Sequence, residues 1–68
     1  MKEGTRVSWS WSGGTAHGTV RKTYARKVTR KLKGSEITRN GSRDDPALYI
    51  EQEDGDGVLK LASEVTAA

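Results

Sequence analysis

The stretch DDPALYIEQEDGDGVLK, residues 44–60, predicts a β-hairpin that supplies much of a small apolar core. Two Asp-Gly pairs lie in its middle, at 54–55 and 56–57, and Asp-Gly suits a two-residue turn because both central residues need positive φ. A turn at 54–55 gathers the apolar residues on one face, as a half-buried antiparallel sheet requires, whereas a turn at 56–57 scatters them. The predicted register has the facing pairs Glu53 with Asp56, Ile50 with Leu59, Leu48 with Leu61, and Tyr49 with Lys60.

The N-terminal segment TRVSWSW, residues 5–11, alternates apolar and polar side chains and predicts a second hairpin. Gly13-Gly14 suits its turn, and the returning strand runs from about Thr15 to Tyr24. The residues that then face each other are Trp11 with Ala16, Trp9 with Gly18, and Val7 with Val20. Each indole meets a small residue, which lets a narrow barrel fill its interior without overpacking.

The stretch RKTYARKVTRKLK, residues 21–33, has seven Lys or Arg among its thirteen residues. Tyr24, Val28 and Leu32 are spaced by four, which would also fit an amphipathic helix. Strand is the preferred interpretation, because β-branched residues occur here and Lys33-Gly34 suits a hairpin turn. With that turn, Lys31 faces Glu36, and Val28, Leu32 and Ile37 share one face.

Short strands at near-even spacing, punctuated by glycine and by the polar connection 38–46, are typical of a small all-β barrel. We expect five or six antiparallel strands in an SH3-like barrel, with one helical turn or tight corner at 62–64. The length predicts a single domain, 1–68, with an ordered core over about residues 4–65. The predicted core residues are Val7, Trp9, Trp11, Gly18, Val20, Leu32, Ile37, Leu48, Ile50, Leu59, Leu61 and Val65.

The composition argues against several classes of function. The chain has no cysteine and one histidine, so neither a disulfide framework nor a zinc site is expected. A calcium loop starting at Asp54 would need a carboxylate where Val65 stands. His17 faces only Ser10, without a cleft, so no enzymatic activity is expected. No apolar run approaches the roughly 20 residues of a membrane span, and the N-terminus lacks a signal-peptide pattern. We expect no cofactor, no metal, no membrane association and a cytoplasmic location.

Charge is distributed unevenly along the chain. Residues 1–43 carry eleven Lys or Arg against two acids, a net of +9, and residues 44–68 carry one Lys against seven acids, a net of −6. This polarity allows two interpretations. The basic part could steer an anionic partner, or the opposite charges could meet across neighbouring strands of a small barrel.

Six segments, spread over essentially the whole chain, resemble a known family. They are GTRVSW at 4–9, HGTV at 17–20, VTRKLKG at 28–34, ITRNGS at 37–42, DDPALYIEQEDGDGVLK at 44–60, and SEV at 63–65. In their order and spacing they resemble the hypervirulence-associated Tudor-type domains, small domains of bacteria and fungi. The resemblance implies an SH3-like, Tudor-class barrel, and it leaves the biochemical activity open because fold does not settle function.

The Tudor resemblance raises the idea of an aromatic cage for methylated Lys or Arg. A cage needs three or four rings around a cation, and the chain has four aromatic residues, Trp9, Trp11, Tyr24 and Tyr49. The predicted register turns both tryptophans toward the core. It leaves Tyr49 as the best candidate for an exposed ring.

Two hypotheses of function follow. The preferred one is a non-enzymatic binding or scaffold module that engages a protein or peptide, through an edge strand or groove. The alternative is a nucleic-acid-binding module that uses the basic stretch 21–33, which gains support if its cations form one patch unmatched by carboxylates. The candidate ligand-binding residues are Tyr24, Tyr49, Arg21, Lys22, Arg26, Lys27, Arg30, Lys31 and Lys33.

Overall fold

The computed structural model describes residues 1–67 and consists of short β-strands with one 3-10 turn. The strands are β1 (Arg6–Trp11), β2 (Gly14–Tyr24), β3 (Lys27–Leu32), β4 (Ser35–Asn40), β5 (Ala47–Gln52), β6 (Gly57–Leu61) and β7 (Thr66–Ala67). The 3-10 turn spans Ala62–Glu64, between β6 and β7. The predicted all-β class and the helical turn at 62–64 are confirmed.

The strands form two antiparallel sheets. The larger sheet has the order β6-β5-β2-β1-β7, and the smaller one pairs β3 with β4. The structure has one strand more than the five or six expected, because the last described residues add β7 to the edge of β1. Both residues of β7 are exposed, and they follow the predicted ordered core of about residues 4–65, while Ala68 lies outside the described residues.

The hairpin of β5 and β6 differs by one residue from the predicted register. Its loop has three residues, 53–55, because the Gln52 N–H donates to the Asp56 carbonyl at 2.8 Å and the Gly55 N–H donates to the Gln52 carbonyl at 2.9 Å. Gly55 has φ of +91°, the left-handed conformation that closes such a three-residue loop. The observed facing pairs are Leu48 with Lys60, Tyr49 with Leu59, and Ile50 with Val58.

This register buries both faces of β5. Leu48 and Ile50 are fully buried on one face, in a first cluster that also contains Val7, Trp9, Val20 and Val65. The other face contributes to a second cluster around Val28, Ala47 and Leu59, against which the half-buried side chains of Tyr24, Leu32, Ile37, Tyr49 and Leu61 pack. The two-residue turn was predicted because one face was assumed to be solvated, and that assumption is wrong.

The hairpin of β1 and β2 turns at Ser12-Gly13 rather than at Gly13-Gly14. Its facing pairs are Val7 with Gly18, Trp9 with Ala16, and Trp11 with Gly14. A shift of two residues keeps every side chain on its predicted face, so Trp9 is 8% exposed and lies in the core. Trp11 is 59% exposed, because its place at the end of β1 lies beyond the packed part of the sheet. The prediction that Trp11 is a core residue is wrong.

A bulge in β2 carries the chain from the first cluster to the second. In β2 the register to β5 shifts between Val20 and Lys22, and bulges of this kind bend a strand. The start of β2 therefore packs in the first cluster, and Tyr24 packs against the second.

The hairpin of β3 and β4 turns at Lys33-Gly34, with φ of 52° and 80°. Its strand character is as predicted, and so is the pairing of Lys31 with Glu36.

Gly18 allows β2 to approach β5 closely. A Cβ at this position would lie 2.5 Å from Ile50 Cγ2 and 2.9 Å from the Glu51 carbonyl oxygen. Neither neighbour can move easily, because Ile50 is fully buried and Glu51 is held in the paired strand.

We predict that Gly18→Ala lowers the free energy of unfolding by about 1–3 kcal/mol through overpacking, measured by urea denaturation. Ser10→Ala, at an exposed position of β1, is the matched control and should change it by less than about 0.5 kcal/mol. A Gly18→Ala variant as stable as the parent would show that β2 and β5 are not in this close contact.

Candidate functional site

The cations of the basic stretch do not form one uninterrupted patch. Arg21 forms an ion pair with Glu51 at 2.8 Å, and Lys33 forms one with Asp56 at 2.8 Å. The hydrogen bond to Asp56 and the charge of that carboxylate raise the pKa of Lys33. Within residues 1–67, no salt bridge involves Arg26 or the other lysines of the stretch, which are Lys22, Lys27 and Lys31.

Every salt bridge of the described chain joins the basic part of the sequence to the acidic part. The other two pairs are Arg6 with Glu53 at 2.9 Å and Arg39 with Glu64 at 3.1 Å. Of the two interpretations of the charge distribution, the structure therefore supports charge balance between the two parts of the sequence for four of the basic residues. One of these pairs, Arg21 with Glu51, joins neighbouring strands.

Glu64 binds two partners, the backbone at the end of β6 and the side chain of Arg39. Its Oε1 accepts hydrogen bonds from the Leu61 N–H at 2.7 Å and from Arg39 Nε at 3.1 Å. Partial burial would raise the pKa of Glu64, but these hydrogen bonds and the nearby positive charges of Arg39 and Lys60 outweigh it, and the net pKa is lowered. Glu64 is therefore a carboxylate at neutral pH, and it links the 3-10 turn to β4.

The two tyrosines surround a cation that belongs to the chain itself. The guanidinium carbon of Arg30 lies 4.0 Å from the centroid of the Tyr49 ring, and its Nη1 donates a hydrogen bond to the Tyr24 hydroxyl at 3.1 Å. Arg26 lies over the Tyr24 ring at 5.4 Å. The Tyr49 ring also packs closely against Gly57, because a Cβ at Gly57 would lie 2.6 Å from the Cε1 atom of the ring.

The four aromatic residues do not converge on one point. Trp9 belongs to the first cluster, and Tyr24 and Tyr49 pack against the second. Tyr49, expected to be the most exposed ring, is half-buried beneath Arg30. The geometry thus shows a two-tyrosine site that an internal arginine fills, rather than an open aromatic cage.

An open groove lies beside the tryptophans, where the sequence did not predict one. It has a volume of about 460 Å³ and is lined by Trp9, Trp11, Thr15, Ala16, Gln52 and Val58. The Trp11 ring lies against Gly13, where a Cβ would overlap the ring, so a side chain at residue 13 would displace the indole. The sequence feature that could have indicated this groove is the position of Trp11 at the very end of a strand, opposite glycines. We name this the tryptophan groove.

A second opening separates β4 from β6. This β4–β6 cleft has a volume of about 360 Å³ and combines apolar side chains with the three cations Lys33, Arg39 and Lys60. Its apolar lining comes from Leu32, Ile37, Val58 and Leu59. Gln52 and Val58 line both openings, so the tryptophan groove and the β4–β6 cleft are adjacent.

We looked in the described residues for a metal-binding cluster, for a membrane-spanning helix and for the surroundings of the single histidine. Among residues 1–67, no group of three or more His, Cys, Asp or Glu side chains is placed to hold a metal ion. No helix in that part of the chain is long and apolar enough to cross a membrane. His17 lies opposite Ser8 on β2 and is exposed.

The described residues form a small all-β, barrel-like unit with open grooves, an architecture that Tudor-type modules share, and this class generally binds other molecules. The family model described as hypervirulence associated proteins TUDOR domain matches residues 4–65. The chain belongs to this family, as the resemblance of its sequence segments indicated. No curated protein and no solved structure matches the chain.

We predict that Arg30→Ala lowers the free energy of unfolding by roughly 1–2 kcal/mol, because it removes the cation–π contact with Tyr49 and the hydrogen bond to Tyr24. Arg30→Lys keeps the charge but cannot match the guanidinium geometry, so its free energy of unfolding should lie between those of the parent and of Arg30→Ala. Urea denaturation followed by tyrosine near-UV circular dichroism measures both effects. An Arg30→Ala protein with parental stability and spectrum would contradict the internal-cation site.

Proposed function

We propose that this chain is a non-enzymatic binding module whose partner is a protein or a peptide. The observation that supports this is the 59% exposure of Trp11 beside a groove that Trp9, Ala16 and Val58 make apolar. A single large aromatic ring carries much of the binding energy in many protein interfaces. A chain with four aromatic residues that leaves one indole in solvent gains from covering it.

The chemistry of the tryptophan groove favours an uncharged contact. Its polar lining consists of Thr15 and Gln52, and none of its lining residues is ionisable. A partner that inserts an apolar side chain here would bury both surfaces without leaving a charge unpaired. This is the usual composition of the centre of a protein interface, surrounded by polar residues.

We predict that Trp11→Ala weakens binding of a peptide selected from a displayed random library by about tenfold or more. The free energy of unfolding should change by less than about 0.5 kcal/mol, because the side chain lies outside the packed clusters. Affinity is measured by tryptophan fluorescence of the remaining Trp9, or by calorimetry. Ser12→Ala, in the adjacent turn, is the control and should bind like the parent.

The proposal fails if the library yields no binder above background, or if the selected binders ignore the Trp11→Ala change. Binders that lose affinity equally with Trp11→Ala and Ser12→Ala would point to a general disturbance of the turn.

A nucleic-acid partner is the second candidate, supported by the cations that the salt bridges leave free. Lys27 and Lys31 lie on the exposed face of β3, and Arg26 immediately precedes them. Lys22 is exposed on β2. Exposed cations without carboxylate partners can release counterions when they contact phosphates, which drives non-specific binding.

For this candidate we predict that a single-stranded oligonucleotide binds at low salt and that its affinity falls steeply with salt. The double change Lys27→Glu and Lys31→Glu should abolish the interaction, while Lys2→Glu should leave it nearly unchanged. A fluorescence-anisotropy titration at several salt concentrations measures it. Absence of binding at low ionic strength would rule out the nucleic-acid function.

A further inference from the structure

The outer edge of β1 is paired over only part of its length. β2 lies beside β1 along the whole strand, and β7 lies on the other side of β1. β7 pairs with Val7 and Ser8 only, so residues 9–11 have no strand beside them on that side. The 3-10 turn that leads into β7 is attached to the opposite end of the sheet, because the Ala62 N–H donates to the Pro46 carbonyl at 2.9 Å.

The alternation of backbone hydrogen bonds shows which groups point to this open edge. In an antiparallel pair, every second residue exchanges hydrogen bonds with the neighbouring strand, and the residues between them point the other way. The Val20 N–H donates to the Thr5 carbonyl at 2.9 Å, so the same alternation directs the backbone groups of Trp9 and Trp11 to β2. The N–H and C=O groups of Ser10 therefore point to the open side.

The chain leaves these two groups of Ser10 without a partner. Within residues 1–67, the ladder with β7 ends at Ser8, and no backbone hydrogen bond outside the ladders involves Ser10. Ser10 is exposed. Charged residues, prolines and bulges normally keep edge strands from pairing, but residues 7–16 contain no charged residue and no proline, and the register of β1 with β2 has no bulge. The edge is therefore open to an added strand at Ser10.

The side chains beside this edge define what an added strand would meet. Side chains alternate between the two faces of a sheet, so Trp9 and Trp11 share the face of the tryptophan groove and Ser10 points to solvent. A segment paired with Ser10 would follow the same alternation. Its residue opposite Ser10 would face solvent, and the residues before and after it would lie beside the two indoles. Trp11, which is 59% exposed, would be covered.

We infer that the open edge of β1 binds an extended peptide segment with an apolar-polar-apolar pattern, which pairs its backbone with Ser10 and covers Trp11. Strand addition gives affinity through main-chain hydrogen bonds, and side-chain pockets give specificity. The pocket here is the tryptophan groove, and because none of its lining residues is ionisable, the two side chains that enter it are uncharged. This inference rests on the proposed protein- or peptide-binding function and names the binding mode and the sequence pattern of the partner.

The short length of the open edge favours a peptide over a second copy of the chain. In a symmetric pair of β1 strands centred on Ser10, Ser12 of the second copy would face Ser8, which already pairs with Thr66. The turn that follows Ser12 would therefore meet β7. A peptide segment can end where β7 begins, so it avoids this conflict.

The test uses a blocked hexapeptide of alternating Val and Thr, titrated into the full chain and followed by chemical shifts. We expect the Ser10 amide and Trp11 indole signals to move most. Two N-methylated forms of the peptide are matched to each other, because a threonine opposite Ser10 directs its N–H to β1 and the valines direct theirs away. N-methylation of the threonines should weaken binding at least roughly tenfold, and N-methylation of the valines should change it by less than about threefold.

The variant Ser10→Pro removes a hydrogen bond from the protein side. Proline is tolerated on an edge strand where the missing N–H would face solvent, so the variant should fold and bind the peptide at least roughly tenfold more weakly. Lys2→Pro, in the exposed N-terminal segment, is the control and should bind like the parent. Urea denaturation checks the fold of both. If Ser10→Pro does not fold, the two N-methylated peptides with the parent chain still decide whether the edge is used.

Each other outcome contradicts the inference in a distinguishable way. Equal binding of the two N-methylated peptides excludes strand pairing, and if that binding is still lost in Trp11→Ala, the proposed function stands without the β1 edge. A parent peptide that shifts no signal at millimolar concentration overturns the inference, while the library selection with Trp11→Ala tests the proposed function separately. A dimer in sedimentation that protects the Ser10 amide assigns the edge to a second copy. Binding of oligonucleotides but of no peptide overturns both proposals.

Discussion

The burial of β5 on both faces is the constraint on which the rest of this structure depends. Leu48 and Ile50 point into one cluster, while Ala47 and Tyr49 point into the other. A chain of 68 residues without cysteine has little apolar material to use, and small domains of this kind are only marginally stable. Sharing one central strand between two clusters lets the same hairpin serve both sheets, and it forces the smaller sheet to cover the second face.

The charge distribution follows from the same arrangement. β5 and β6 come from the acidic part of the sequence and pack against strands from the basic part, so each of the four salt bridges joins the two parts. Exposed pairs of this type contribute only about 0.2–1 kcal/mol each, so they orient side chains more than they stabilise the fold. Other cations, among them Lys27 and Lys60, form no salt bridge within residues 1–67.

The strands, the turn at Lys33-Gly34 and the 3-10 turn could be predicted from the sequence, because alternation and turn residues are local signals. The two other turns could not be placed, since Gly13 fits a two-residue turn at either of two positions, and Gly55 fits a loop of two or of three residues. The shift of one residue at Gly55 places Leu59, rather than the predicted Lys60, opposite Tyr49. The contact of Arg30 with Tyr49 joins strands that are far apart in sequence, and no local pattern reports how the two sheets pack.

These differences matter for function because they decide which surfaces are open. Arg30 occupies the site between Tyr24 and Tyr49, and an external cation would have to displace a guanidinium group that is half-buried and hydrogen-bonded. The outer edge of β6 is covered at Leu59, which is 2% exposed, and the Leu61 N–H at its end donates to Glu64 Oε1. A fold that fills the site between its two tyrosines with its own arginine does not present an open aromatic cage there, and its openings lie elsewhere, in the tryptophan groove and the β4–β6 cleft.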